Sequence, residues 1–198
     1  DYTKGIEINP NDANAYNNRG VNYYEQGNLS QAISDYTKAI KINPDIADVY
    51  YNRSLVYSKQ GNFTQAISDC TKAIKINPNY AGAYNNRGIA YCQQGNFTQA
   101  ISDCTKAIEI NPNYAEAYNN RGNVYCQQGN FTQAIPDCTK AIEINPNIAG
   151  AYNNRSVSYY FAKKYNKAWI DVHKAVGLGY AVNPEFLNAL KKASGRDR

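Results

Sequence analysis

Apolar and polar positions along this chain recur with a period of 34 residues, marked by Asn-Pro at Asn9-Pro10, Asn43-Pro44, Asn77-Pro78, Asn111-Pro112 and Asn145-Pro146. Within the stretch from Ala81 to Tyr114, Tyr84, Gly88 and Tyr91 fall at i, i+4 and i+7, which is one face of a helix. Gly95-Asn96 ends that helix. A second segment places Ala100, Ile101, Cys104, Ala107 and Ile108 at i, i+1, i+4, i+7 and i+8, the stripe of a helix buried against two neighbours. Asn111-Pro112 closes it, because the residue before proline is pushed out of the helical region. Each period therefore predicts a helical hairpin. Small residues at Gly88, Ala100 and Ala107 let the two backbones approach, and Tyr84, Tyr91 and Ile101 fill the remaining volume. A lone hairpin cannot bury both apolar faces, so the copies must stack.

The order Tyr84, Gly88, Tyr91, Gly95, Ala100, Ala107, Pro112 resembles the tetratricopeptide repeat pattern. The resemblance covers nearly the whole chain, with units at 13–46, 47–80, 81–114, 115–148 and, more divergent, 149–180. Residues 1–12 read as the end of a preceding repeat, so the chain is expected to begin in mid-helix as a piece of a longer array. Residues 181–198 break the period, and Phe186, Leu187 and Leu190 on one face predict a C-terminal capping helix with a frayed tail. The resemblance implies an all-α fold, an α–α solenoid in which antiparallel helical hairpins wind into a right-handed superhelix. Two departures stand out. The family's large apolar residue before the Gly is Arg here, and that Gly is Ser54 and Ser156 in two units.

Counting Ala13, Ala47, Ala81, Ala115 and Ala149 as position 1, the Arg column is Arg19, Arg53, Arg87, Arg121 and Arg155 at position 7. A guanidinium beside a buried seam needs an acid. Asp35, Asp69, Asp103, Asp137 and Asp171 recur at position 23, which predicts a ladder of structural Arg–Asp pairs within or between adjacent units.

Asn18, Asn52, Asn86, Asn120 and Asn154 fill position 6, and Asn17, Asn85, Asn119 and Asn153 fill position 5, where Tyr51 is the exception. By resemblance, positions 2, 5, 6, 9, 12 and 13 line the concave groove of the superhelix. An Asn carboxamide offers one acceptor and two donors, so such a column can bond the backbone of an extended peptide whatever its sequence. The alternative is that these side chains cap local backbone or sit in water. Five bonds at about 1 kcal/mol each are weak against an association cost of roughly 4–15 kcal/mol. Partner choice is therefore assigned to groove positions that drift between units, among them Ile89 and Asn123. Lys59 is the one cation among those varying positions, so a clamp for a C-terminal carboxylate is disfavoured.

Composition narrows the alternatives. The 198 residues are 43% hydrophobic and 19% charged, with no apolar run near the roughly 20 residues needed to span a bilayer, so no membrane partner is expected. Residues 1–149 carry a net −1 and residues 150–198 a net +6. Lys163, Lys164, Lys167, Lys174, Lys191, Lys192, Arg196 and Arg198 make up most of that excess, and read as a solvated cap with nucleic acid disfavoured. Cys70, Cys104 and Cys138 share position 24 as small buried residues, and Cys92 and Cys126 share position 12. Repeats about 8–10 Å apart cannot bring same-column Cα atoms within the roughly 7 Å a disulfide needs. Free thiols point to a reducing, cytoplasmic compartment. With His173 the single histidine, neither a metal nor any other cofactor is expected. No phosphate loop or nucleophile–base set appears, so the chain is not read as an enzyme. The favoured function is a scaffold that holds a protein or peptide through the Asn ladder. The rival is a structural module that assembles with copies of itself, through an uncapped N-terminal seam carrying Ile6 and Ile8, or acts as a spacer in a larger protein.

Overall fold

The computed structural model describes residues 2–196, so Asp1 and Arg198 lie outside the described residues. The chain divides into two compact units, Asp1–Asn96 and Phe97–Arg198. The first holds α1 (Tyr2–Ile8), α2 (Ala13–Glu25), α3 (Leu29–Ile42), α4 (Ala47–Lys59), α5 (Phe63–Ile76) and α6 (Ala81–Gln93). The second holds α7 (Phe97–Ile110), α8 (Ala115–Gln127), α9 (Phe131–Ile144), α10 (Ala149–Phe161), α11 (Tyr165–Gly177) and α12 (Pro184–Ser194). No strand occurs among the described residues. In each unit consecutive helices pack on one another: α2 on α3, α3 on α4, α4 on α5 and α5 on α6 in the first, α7 on α8 and onward through α11 in the second. Both units are stacks of helical hairpins, the local geometry of an α–α solenoid.

Punctuation explains the period. After the first helix of each of the first four hairpins a Gly turns left-handed, at φ 79° for Gly27, 76° for Gly61 and Gly95, and 74° for Gly129. The next residue's N–H then reaches back to close the helix, as Asn28 N–H does to the Tyr23 carbonyl at 2.8 Å. The second helices of the first four hairpins end at Asn, whose side chain accepts from the N–H two residues on: Asn43 from Asp45 at 3.0 Å, and Asn77 from Asn79, Asn111 from Asn113 and Asn145 from Asn147 at 3.1 Å. That Asx turn wraps the proline between them. Pro136 is the sixth residue of α9, beyond the first turn, yet α9 spans the same 14 residues as α3, α5 and α7. Its ring and Thr132, whose carbonyl lacks a donor there, both lie on the exposed side, so the missing bond falls on a face open to solvent.

The hairpin core is built on size complementarity. Ala32, Ala66, Ala134 and Ala168 at position 20, and Ala39, Ala73, Ala141 and Ala175 at position 27, are fully buried. Position 8 faces position 24. A Cβ on Gly20 would come 2.7 Å from the Tyr36 ring, and one on Gly122 2.7 Å from Cys138 Sγ, so larger residues there collide. Where position 8 is Ser54, the Cys70 thiol donates to its hydroxyl at 3.1 Å. The end of the second unit is covered by α12, capped by Asn183 at its start and by left-handed Gly195 at its end. Leu190 on its inner face is fully buried and packs with Ala168, Trp169 and Val172.

Candidate functional site

The Arg column takes its place from two helices at once. Arg19 grips both oxygens of Asp35 at 2.7 and 2.8 Å, Arg53 those of Asp69 at 2.7 and 2.8 Å, Arg121 those of Asp137 at 2.7 Å each, and Arg155 those of Asp171 at 2.8 Å each. These are two-point pairs inside one hairpin, with the carboxylates buried. Arg87 and Asp103 belong to different units. The remaining guanidinium nitrogen, Nη1, reaches the preceding repeat: Arg53 to Thr37 Oγ1 at 2.9 Å, Arg87 to Thr71 at 3.0 Å, Arg121 to Thr105 at 2.9 Å and Arg155 to Thr139 at 3.1 Å. Arg53, Arg121 and Arg155 thus each tie their own hairpin together and stitch it to the one before. The Asp35 hydrogen bond leads in holding Arg19 above its usual pKa, as that of Asp137 does for Arg121; for Arg53 burial is the largest influence and opposes the charge, and the Asp69 hydrogen bond together with the charge of Asp69 and the neighbouring tyrosines overcomes it. Tyrosines at positions 4 and 11 flank the guanidinium groups, with Arg155 5.7 Å from the Tyr152 ring centre and 5.8 Å from that of Tyr159. The Thr column was visible in the sequence as a residue recurring at position 25, and reasoning from charge alone missed it.

The Asn columns meet across repeats. Asn52 Nδ2 donates to Asn17 Oδ1 at 3.1 Å in the first unit, and Asn154 Nδ2 donates to Asn119 Oδ1 at 3.1 Å in the second. Position 6 of one repeat bonds position 5 of the repeat before it. These four side chains are half-buried, and each pair uses one donor and one acceptor of the two amides. Asn18 is exposed, and Asn120 and Asn153 are half-buried. Ile89 on α6 and Asn123 on α8 are half-buried as well.

Asn86 is placed differently. Tyr51 stands where its Asn partner would be, and Asn86 is only 4% exposed, with Asn85 at 6%. Its Nδ2 donates to Ser54 Oγ at 2.8 Å and lies 3.5 Å from Cys70 Sγ, and its Oδ1 accepts from Ser58 Oγ at 3.3 Å. Ser54 donates its own hydroxyl to the Tyr51 carbonyl at 2.6 Å. Burial pushes the Cys70 thiol up to about 11, the bonds to Ser54 and Asn86 opposing it. Both departures in this repeat, Tyr51 and Ser54, belong to one network. The Tyr51 ring lies 4.9 Å from that of Tyr80, and Tyr80 donates its hydroxyl to Asp48 at 2.7 Å. Burial first, then that bond, holds the Tyr80 phenol well above its ordinary pKa. Lys59 sits over the Tyr24 ring at 5.1 Å.

At the far end of the second unit, Val157, Tyr160 and Phe161 at positions 9, 12 and 13 join Phe186 and Ala189 of α12 around a cleft of about 510 Å³. Phe161 stacks on Phe131 at 4.1 Å and is still 55% exposed. The five cysteines are free thiols, and Cys126 Sγ lies 3.2 Å from Ser158 Oγ. Among the described residues no helix is long and apolar enough to cross a membrane.

Three family models match the chain: one for the tetratricopeptide repeat at residues 47–80 and 115–148, one described as TPR repeat at 21–61 and 88–129, and a further tetratricopeptide repeat model at 1–34 and 70–102. No curated protein matches the sequence. Among solved structures, YrrB, described as a TPR protein with an unusual peptide-binding site, is 24% identical with a TM-score of 0.73, covering 98% of this chain and 97% of its own. PilF of Pseudomonas aeruginosa is 23% identical with a TM-score of 0.81, over 92% and 84% of the two chains. The first TPR of Spaghetti (RPAP3), solved with the HSP90 peptide SRMEEVD, is 30% identical with a TM-score of 0.58, over 59% of this chain and 93% of that one.

Proposed function

Since the chain belongs to the tetratricopeptide repeat family, a family of protein–protein interaction scaffolds, we propose that it holds an extended peptide segment of a partner against the Asn-bearing faces of its first helices. The observation that carries this reading is the pairing of Asn52 with Asn17 and of Asn154 with Asn119, at 3.1 Å in each case. Each pair fixes the two amide planes and leaves Asn17 or Asn119 Nδ2 to donate to a carbonyl, and Asn52 or Asn154 Oδ1 to accept from an N–H, of another backbone. Orientation set before binding lowers the entropy cost of recognition. Solved relatives whose descriptions name a peptide-binding site or a bound peptide support the same use of the fold. Recognition here is of backbone: Lys59, the lone cation among the varying groove positions, is held over Tyr24 rather than paired with a second cation for a carboxylate. Drifting positions such as Ile89 and Asn123 then supply choice of side chain.

Selection of binders from a random-peptide phage library tests the reading. The wild-type chain is expected to enrich peptides whose affinity falls about tenfold or more when Asn17 and Asn52, or Asn119 and Asn154, are replaced by Ala. Enrichment of nothing, together with concentration-dependent self-association in sedimentation, would support the rival reading of a self-assembling module.

A further inference from the structure

The fifth hairpin turns differently from the other four, and the difference is chiefly positive charge. The earlier turns read Gln26-Gly27-Asn28, Gln60-Gly61-Asn62, Gln94-Gly95-Asn96 and Gln128-Gly129-Asn130, and the fifth reads Ala162-Lys163-Lys164. In three of the neutral turns the Asn amide closes on the Gln of the same turn, at 3.2 to 3.3 Å. Lys163 stands where the others place Gly and adopts the same left-handed backbone, at φ 57°, a conformation that a residue with a β-carbon adopts reluctantly. Lys167 replaces Gln31, Gln65, Gln99 and Gln133 at the corresponding place three residues on from Asn. Turn chemistry and backbone preference therefore both argue against these lysines, and neither explains them.

Lys163, Lys164 and Lys167 gather round one concavity of about 340 Å³, closed by Tyr165, Asn166 and, from α12, Ala193 and Ser194. Its wall is held from two sides. Trp169 Nε1 donates to Ser194 Oγ at 3.0 Å, and Arg196 Nη2 donates to Asn166 Oδ1 at 3.3 Å while its guanidinium covers the Trp169 ring at 5.5 Å. A fourth cation is thereby fixed at the rim. No acid lines the pocket, and none of these cations forms a salt bridge among the described residues. Four positive charges held together repel one another, and an anion relieves that repulsion.

We propose that this pocket is a second interaction site, separate from the Asn faces, that takes a carboxylate-rich segment of a protein partner. Lysine ammonium groups are compact point charges that accept carboxylates from many directions, without the planar match an arginine fork imposes. The pocket has room for a few side-chain carboxylates. Nucleic acid needs a basic track with rings open for stacking, and here Tyr165 leans on Tyr160 at 5.9 Å while Arg196 covers Trp169.

The probe is a fluorescein-labelled hexaglutamate peptide, its anisotropy titrated with the full chain at about 50 mM NaCl. The test variant is Lys163→Gly, Lys164→Asn, Lys167→Gln, which gives the fifth turn the residues of the other turns and relieves the left-handed lysine. Its melting temperature is expected to equal or exceed that of the wild type, so loss of binding cannot be misfolding. Binding to the wild type is expected, with a loss of about tenfold or more in the variant and a steep fall by about 300 mM NaCl. A control that removes three exposed lysines elsewhere, Lys38→Gln, Lys41→Gln, Lys72→Gln, is expected to bind as the wild type does. No binding by the wild type, equal binding by the turn variant, or equal loss in the control would overturn the proposal. Tighter binding of a single-stranded oligonucleotide or of phosphatidylserine vesicles than of hexaglutamate at the same salt would also overturn it.

Discussion

Asn52 and Asn86 occupy the same position of successive repeats in one unit and do different work. Asn52 reaches one repeat back to Asn17 and stays half-buried, whereas Asn86 finds Tyr51 in that place and turns into the hairpin, to Ser54 and Cys70. The residue one repeat earlier goes with the difference: where it is Asn17 the amide pairs across repeats, and where it is Tyr51 the amide is buried. A single exchange at position 5 is accompanied by Ser at position 8, because a buried amide needs a hydroxyl to bond and Gly offers none.

The largest effect comes from the seam on which both Asn residues stand. Asp69→Ala leaves Arg53 charged and mostly buried, and is expected to cost about 3 kcal/mol or more of unfolding free energy in urea titration. It should disturb both sides of the comparison equally. Alkaline pH reaches the buried side through Cys70. An unfolded thiol titrates near 9.0 and the folded Cys70 near about 11, so its contribution is intact below about pH 9 and is lost as pH rises toward about 11. Two pH units correspond to about 2–3 kcal/mol, and the pH profile of Cys70→Ala compared with wild type should lack that step.

Next comes the direct contrast. Asn86→Ala removes a buried amide and strips Ser54 and Ser58 of a partner, for an expected loss of about 1–3 kcal/mol. Asn52→Ala is expected to cost less than about 1 kcal/mol, since water replaces its one bond to Asn17. Equal costs would erase the distinction drawn between the two. The double exchange Tyr51→Asn, Ser54→Gly should sharpen it, turning Asn86 outward to pair with residue 51 and raising the exchange rate of its side-chain amide protons. The smallest expected change is Thr37→Val, which takes the stitch at 2.9 Å from Arg53 but leaves the Asp69 pair, for about 1 kcal/mol.

Much of this arrangement was legible in the sequence, and the illegible part has a physical cause. A period of 34 residues and the Gly and Asn-Pro punctuation are local signals, and hairpins with these boundaries follow from backbone preferences. The complementarity of Gly20 with Tyr36 and of Ser54 with Cys70 was present as two columns of letters, but their opposition depends on how the two helices of a hairpin face each other. Cross-repeat bonds were less accessible still. Asn52 with Asn17 and Arg53 with Thr37 join residues whose separation in space is set by stacking, which no single repeat encodes. The turn lysines were legible as charge and not as a pocket, because the walls come from α12.

If the paired Asn amides hold a partner's backbone while the buried Asn86 serves the fold, peptide affinity depends on the pair and not on Asn86. Isothermal titration of a library-selected peptide into the wild type and into Asn17→Ala, Asn52→Ala tests it most directly. The account predicts an affinity lowered about tenfold or more with the melting temperature within about 2 °C of wild type. An unchanged affinity in that variant would contradict it.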